Sequence, residues 1–180
     1  IAGTLLEYAL TAPASSDHQL AFVRGLCAFA SPDYGLEELI NWYRGSSIPA
    51  GLQVDTDLRW TLLNRMVRQG AAAHNEIAAE LEIDNSSKGH EESVRLKAAI
   101  PTATAKAAAW DSIVNKSDAS NAIVENTIAG FNDYENPDLH ADFIAKYFEM
   151  LPTLWQGDRG YHVAQNITIG LYPMPLVNNE

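Results

Sequence analysis

The spacing of apolar residues constrains this chain more than any other feature. They recur every three to four positions through most of its length, the period that lines side chains along one face of an α-helix. Ser16 to Ala30 carries Leu20, Val23, Cys27 and Ala30 in this register. Leu36, Leu39, Ile40 and Tyr43 outline a shorter helix, and Leu62, Leu63, Met66 and Val67 a longer one. Ile77 with Leu81, and Val94 with Ala98, mark two more. In TATAKAAAWDSIVN the spacing puts Ala103, Ala107, Trp110 and Val114 on one stripe. In SNAIVENTIAGF, Ile123, Val124, Thr127, Ile128 and Phe131 make a wider face. In PDLHADFIAKYFEMLPTLW, Leu139, Phe143, Tyr147, Met150 and Leu154 repeat the pattern. Alternation of the strand type is confined to Asn166-Ile167-Thr168-Ile169, where Val163, Ala164, Ile167 and Leu171 also fit a helix. The helix is the preferred assignment there.

Punctuation agrees with the periodicity. Asn136-Pro137 has the form of an N-cap followed by proline at the first helical position. Pro101-Thr102 divides two helical patterns, because the residue before a proline is pushed out of the helical region. Gly45, Gly70 and Gly130 stand near helix ends, where a left-handed residue is wanted. Asp84 to Ser87 is turn chemistry. Pro152 predicts a kink or break near Leu151. The segment IPAGLQVD, with Pro49 and Gly51, is predicted to be the longest ordered loop. From residue 57 onward helix starts recur roughly every 14 to 18 residues, so a pair of helices takes about 30 to 35, the size of units that stack into solenoids. An all-α fold of paired helices follows, as a single helical-repeat domain over residues 1–180.

Composition excludes several function classes. With 23 acidic against 12 basic residues, the formal charge is −11. That balance opposes a phosphate backbone and anionic lipid alike, so neither nucleic acid nor membrane is expected as a partner. Cys27 is alone and flanked by apolar residues in LAFVRGLCAFA, which predicts a buried small hydrophobe rather than a reactive thiol. No apolar run approaches the roughly 20 residues needed to span a bilayer. No signal peptide is seen, and a cytoplasmic location is expected. The chain begins at Ile1 rather than Met, as an excerpt of a longer protein would.

Catalytic signatures are sparse. His90-Glu91-Glu92 begins like the H-E-x-x-H helix of zinc peptidases, but position 94 is Val94, so the second imidazole is missing. His18, His74, His140 and His162 have no ligand spacing among them, and solvated or capping roles are expected for the histidines. There is no G-x-S-x-G elbow and no phosphate loop. Gly157 to Gly160 is a turn. Glu37-Glu38 and Glu91-Glu92 are adjacent pairs that diverge by about 100° on a helix, so solvated faces are expected. Trp42, Trp60, Trp110 and Trp155 lie in helical patterns and are expected to anchor the core. No catalytic, cofactor-binding or metal residue is assigned.

One stretch carries a signature. In GLQVDTDLRWTLLNRMVRQG, Asp55, Thr56 and Asp57 sit where a helix begins, able to accept from its orphan N–H groups and favoured by its dipole. Arg59 is placed to pair with a carboxylate in its own turn or on a neighbouring helix, an orienting contact. This stretch resembles the segment that opens the helical C-terminal domain of bacterial, especially actinobacterial, aminopeptidase N, a zinc metallopeptidase family related to the endoplasmic-reticulum aminopeptidases. The likeness continues through IAAELEIDNSSKGHEESVRLKAAIPTATAKAAAWDSIVN, SNAIVENTIAGF, DFIAKYFEMLPTLWQ and AQNITIGLYP, covering about Leu20 to Pro175. The resemblance implies antiparallel helix pairs stacked as a HEAT-like α-α superhelix. It implies a parent enzyme that removes amino-terminal residues from peptides, with zinc in a catalytic domain outside these residues. The helical domain would enclose the active-site chamber and shape peptide access. The implied partners are that catalytic domain, in the same polypeptide, and peptide substrates. Asp55, Asp57, Arg59 and Trp60 are the family-signature residues, with a structural role expected. The first hairpins are expected to be absent or incomplete near Ile1 to Ser15. The competing assignments are a free-standing helical-repeat binding module and, last, a small enzyme using His90 and Glu91.

Overall fold

In the computed structural model, residues 1–116, 119–157 and 159–177 are described. Among them the regular structure is helical, and β pairing is limited to isolated bridges from Ser31 to Tyr34 and Gly35. Ten α-helices run in order: α1 (Ala2–Thr11), α2 (Asp17–Phe29), α3 (Leu36–Tyr43), α4 (Thr56–Arg68), α5 (His74–Ile83), α6 (Ser87–Ala99), α7 (Ala103–Val114), α8 (Asn121–Phe131), α9 (Phe143–Leu154) and α10 (Tyr161–Gly170). Short 3-10 turns occupy Pro137–His140 and Met174–Leu176. Residues 163–171 are thus helical up to Gly170. The turn expected at Gly157 to Gly160 includes Asp158, which lies outside the described residues.

Side-chain caps start five of these helices. The Gln19 N–H donates to Ser16 Oγ, Leu58 N–H to Asp55 Oδ1, Gly89 N–H to Ser86 Oγ, Ala105 N–H to Thr102 Oγ1 and Ile123 N–H to Ser120 Oγ. Each satisfies one of the orphan donors of a first turn and contributes about 1 kcal/mol.

The chain divides into two compact units, Ile1–Glu80 and Leu81–Glu180. In the first, α1 packs on α2, α3 on α4, and α2 on α4. Val23, Leu26, Cys27, Leu39, Trp42, Leu58 and Leu62 form its buried core. Burying each large apolar side chain is worth about 1.5–3 kcal/mol. Within Ile1 to Ser15, α1 is an ordered helix that packs on α2. The 12-residue connection between α3 and α4 is the long loop foreseen around Pro49 and Gly51.

In the second unit α6 packs on α7 and α8, α7 on α8, and α8 on α10. The helix-pair packing within each unit is consistent with a helical superhelix. Trp110, Ile113, Val124, Ile128, Phe131, Phe143, Tyr147, Met150 and Leu154 lead the core here.

Four local expectations are corrected. The buried face of α7 is Ala105, Ala109, Trp110 and Ile113 with Lys106, while Ala103 and Ala107 are exposed; a run of alanines carries no phase of its own. Gly45 and Gly70 do follow helices with φ of +80° and +70°, but Gly130 lies inside α8. Its role is proximity: a Cβ there would sit 1.9 Å from the Arg95 carbonyl oxygen of α6. Asn136-Pro137 opens only a 3-10 turn, because the Asn136 side chain donates to Asp133 Oδ2 instead of capping. Of the kink or break expected near Leu151, the break does not occur: the α9 helix continues through Pro152 to Leu154. Proline removes the donor to the Phe148 carbonyl, and Phe148 is exposed, so that carbonyl stays within reach of water.

Gly130→Ala is expected to destabilise the chain by about 3 kcal/mol in chemical denaturation, the overpacking cost exceeding the roughly 1 kcal/mol gained in helix propensity. Gly45→Ala, in open space at positive φ, should cost only about 1 kcal/mol.

Candidate functional site

The signature stretch begins α4. Asp55 is its N-cap, accepting the Leu58 N–H at 2.9 Å. Asp57 is exposed in the first turn, and Trp60 is buried. The loop that delivers the chain to Asp55 is pinned by Gln19, a buried amide on α2. Its Nε2 donates to Ala50 O at 3.1 Å and reaches Ala9 O at 3.4 Å, while its Oε1 accepts from Ser15 N–H.

Arg59 projects to α5. Its Nε and one terminal nitrogen grip Glu80 bidentately at 2.7 and 2.6 Å. Glu80 is 0% exposed. The Tyr43 hydroxyl donates to the same carboxylate at 2.8 Å, and the other guanidinium nitrogen donates to the Tyr43 carbonyl at 3.2 Å. The guanidinium also lies 4.6 Å from the Tyr43 ring centre. Burial, then the Glu80 hydrogen bond and charge, push the Tyr43 phenol far above its usual range. The Glu80 hydrogen bond holds the Arg59 cation above its ordinary value. Such a node joins α3, α4 and α5 through charge-assisted, geometrically specific contacts.

The second unit has its own polar centre. Lys106, fully buried in α7, donates to Ala98 O at 2.9 Å and to Gly130 O at 3.2 Å. Asp133 and His140 are also buried. The Asp133 N–H donates to His140 Nε2 at 3.2 Å, and the Asp133 carboxylate accepts from Glu135 N–H, Asn136 N–H and Asn136 Nδ2. Arg159 donates to the carbonyls of Ile113, Val114 and Lys116 at the end of α7.

Three side-chain expectations change here. His140 is buried rather than solvated. Glu92 is buried too, in ion pairs with Lys88 and Arg95 one turn away on either side. Trp155 is 47% exposed, since it lies past the last turn of α9, where its indole N–H donates to Thr168 Oγ1 at 3.1 Å. Sequence patterning missed Gln19, Glu80, Lys106 and Arg159. Gln19, Glu80 and Lys106 are polar residues within helical patterns, where periodicity discards them, and Arg159 lies in the connection between α9 and α10, where there is no periodicity to read.

The side chains of the described residues form no site that fits a zinc ion. Among the described residues no three of His, Cys, Asp and Glu come together. His18, His74, His90 and His162 are exposed, and His90 Nε2 lies 2.9 Å from Asn85 Oδ1. Burial pushes the Cys27 thiol up to about 12, so it is inert. Nor is any described helix long and apolar enough to cross a membrane.

Arg59→Met should cost about 3 kcal/mol, because it strands a buried carboxylate. Arg59→Met with Glu80→Leu should recover most of that loss, a coupling read by a double-mutant cycle in urea. Asp55→Ala should cost about 1 kcal/mol through the lost cap.

Residues 4–177 match the family described as ERAP1-like C-terminal domain. Aminopeptidase N from Streptomyces lividans is 38% identical over 175 residues, which is 97% of this chain and 20% of that protein. The chain therefore spans about a fifth of that relative's length. Matched almost end to end, and all-helical as the resemblance implies, the chain belongs to the ERAP1-like C-terminal domain family.

Proposed function

We propose that this chain is the non-catalytic helical domain of a zinc aminopeptidase that removes amino-terminal residues from peptides. On this reading residues 1–180 act as one domain, enclose the active-site chamber and limit or shape peptide access. The partners are the catalytic domain of the same polypeptide, which holds the zinc, and peptides within the chamber. The carrying observation is the 38% identity over 97% of this chain to a fifth of an aminopeptidase N. The side-chain chemistry of the described residues agrees. The Arg59–Glu80–Tyr43 and Lys106 clusters are occupied in holding helices, and the histidines do not converge on a metal. Asp55, Asp57, Arg59 and Trp60 serve structure on this reading. A cytoplasmic location is part of it, in keeping with a single buried cysteine.

The purified chain is expected to hold no stoichiometric zinc by elemental analysis and to cleave no aminoacyl chromogenic substrate. In the longer polypeptide, deleting this segment should alter the preference for peptide length far more than the turnover of a single-residue chromogenic substrate. Zinc with activity in the isolated chain would overturn the assignment. So would an unchanged length preference after the deletion.

A further inference from the structure

The Asn132–Asp142 connection between α8 and α9 is folded around one imidazole. His140 is 3% exposed and its ring meets Phe131 edge-on, with centres 4.9 Å apart. Its Nε2 accepts the Asp133 N–H, so that nitrogen carries no proton and the ring is the neutral Nδ1–H tautomer. Asp133 in turn holds the amides of Glu135 and Asn136. One acceptor atom on His140 therefore organises the residues that lead into the Pro137–His140 turn.

We propose that His140 is an acid-sensitive latch: protonation at Nε2 breaks its bond to the Asp133 N–H and opens the Asn132–Asp142 connection while the helices on either side persist. A protonated Nε2 becomes a donor facing a donor, and the buried Asp133 N–H loses its partner. The surroundings add to this. From α7, the Lys106 ammonium acts on the imidazole and also lies 5.9 Å from the same Phe131 ring. Asp133 on the connection is the opposing carboxylate, and Asp138 and Asp142 are the other carboxylates on the turn and its exit. The described part of Met174–Leu176, which packs against the turn, brings no titratable group. Burial first, and the Lys106 charge second, hold the imidazole below its ordinary value in the closed form.

The sign follows from linkage. The open form binds the proton more readily, so closure is fully favoured above about pH 6.5, the ordinary imidazole value. As pH falls from there to the lower closed-state midpoint, protection drops by up to about tenfold per unit and then levels off.

Amide exchange of the whole 15N-labelled chain, resolved by residue and corrected for intrinsic rates, tests the latch between about pH 7.5 and about pH 5. Protection at Asp133 should fall with acid while that at Leu63 in α4 holds. His140→Gln, whose amide oxygen accepts without titrating, should flatten the dependence. A flat wild-type profile, an equal fall in His140→Gln, or simultaneous loss at Leu63 overturns the proposal. If His140→Gln does not fold, the ring 15N shifts of wild-type His140 decide. Protonation of Nε2 in step with the loss at Asp133 supports the latch, and protonation without that loss overturns it.

Discussion

The last carbonyls of an α-helix have no donor within the helix, and a buried helix end must find one elsewhere. In this chain the donors come from neighbouring segments. Gln19 of α2 reaches Ala9 O in the last turn of α1. Arg65 of α4 donates to Ala30 O, just past α2. Lys106 of α7 serves the final turns of both α6 and α8. Arg159 closes the end of α7. The long polar side chains buried in each unit are therefore not anomalies. They allow short helices to end inside a packed structure, which helices of eight to thirteen residues need because they are marginal alone. Close approach completes the scheme. Gly130 lets α8 lie against the backbone of α6 near Arg95, where Lys106 joins the two.

Much of this was legible in the sequence, and what was not has a physical reason. Helix positions followed from apolar spacing and the start of α4 from Asp55, while Asp84 to Ser87 and Pro101-Thr102 marked only breaks, the capping by Ser86 and Thr102 emerging with the fold. The α7 face was misphased because TATAKAAA has one large side chain in eight, and that one is a buried lysine. A lysine is read as solvent-facing by default, since its burial depends on carbonyls supplied by other helices. Gly130 looked like a terminator because proximity to a residue 35 positions earlier leaves no local trace. For the candidate site, Arg59 was readable as an ion-pair partner, but Glu80 lies 21 residues on, past a turn. Only the fold brings them together.

The polar chemistry of the chain turns inward on its own backbone. Carboxylates that stand near cations are structural pairs, the buried imidazole faces an amide, and the thiol is sealed in a core. The family to which it belongs is described as a C-terminal domain, and these buried polar contacts tie its helices together. The acidic excess of its composition then lies chiefly with side chains outside these clusters, where it keeps the surface hydrated.

The Arg159 contact has a consequence for biosynthesis. The carbonyls that end α7 belong to residues 113, 114 and 116, yet their donor is translated more than forty residues later. As the nascent chain leaves the ribosome, α7 can coil as soon as it emerges, but its terminus must stay wet until α8 and α9 have followed. The second unit therefore cannot mature helix by helix from its amino-terminal side. It is finished as a whole, when a guanidinium more than forty residues downstream arrives to seal α7.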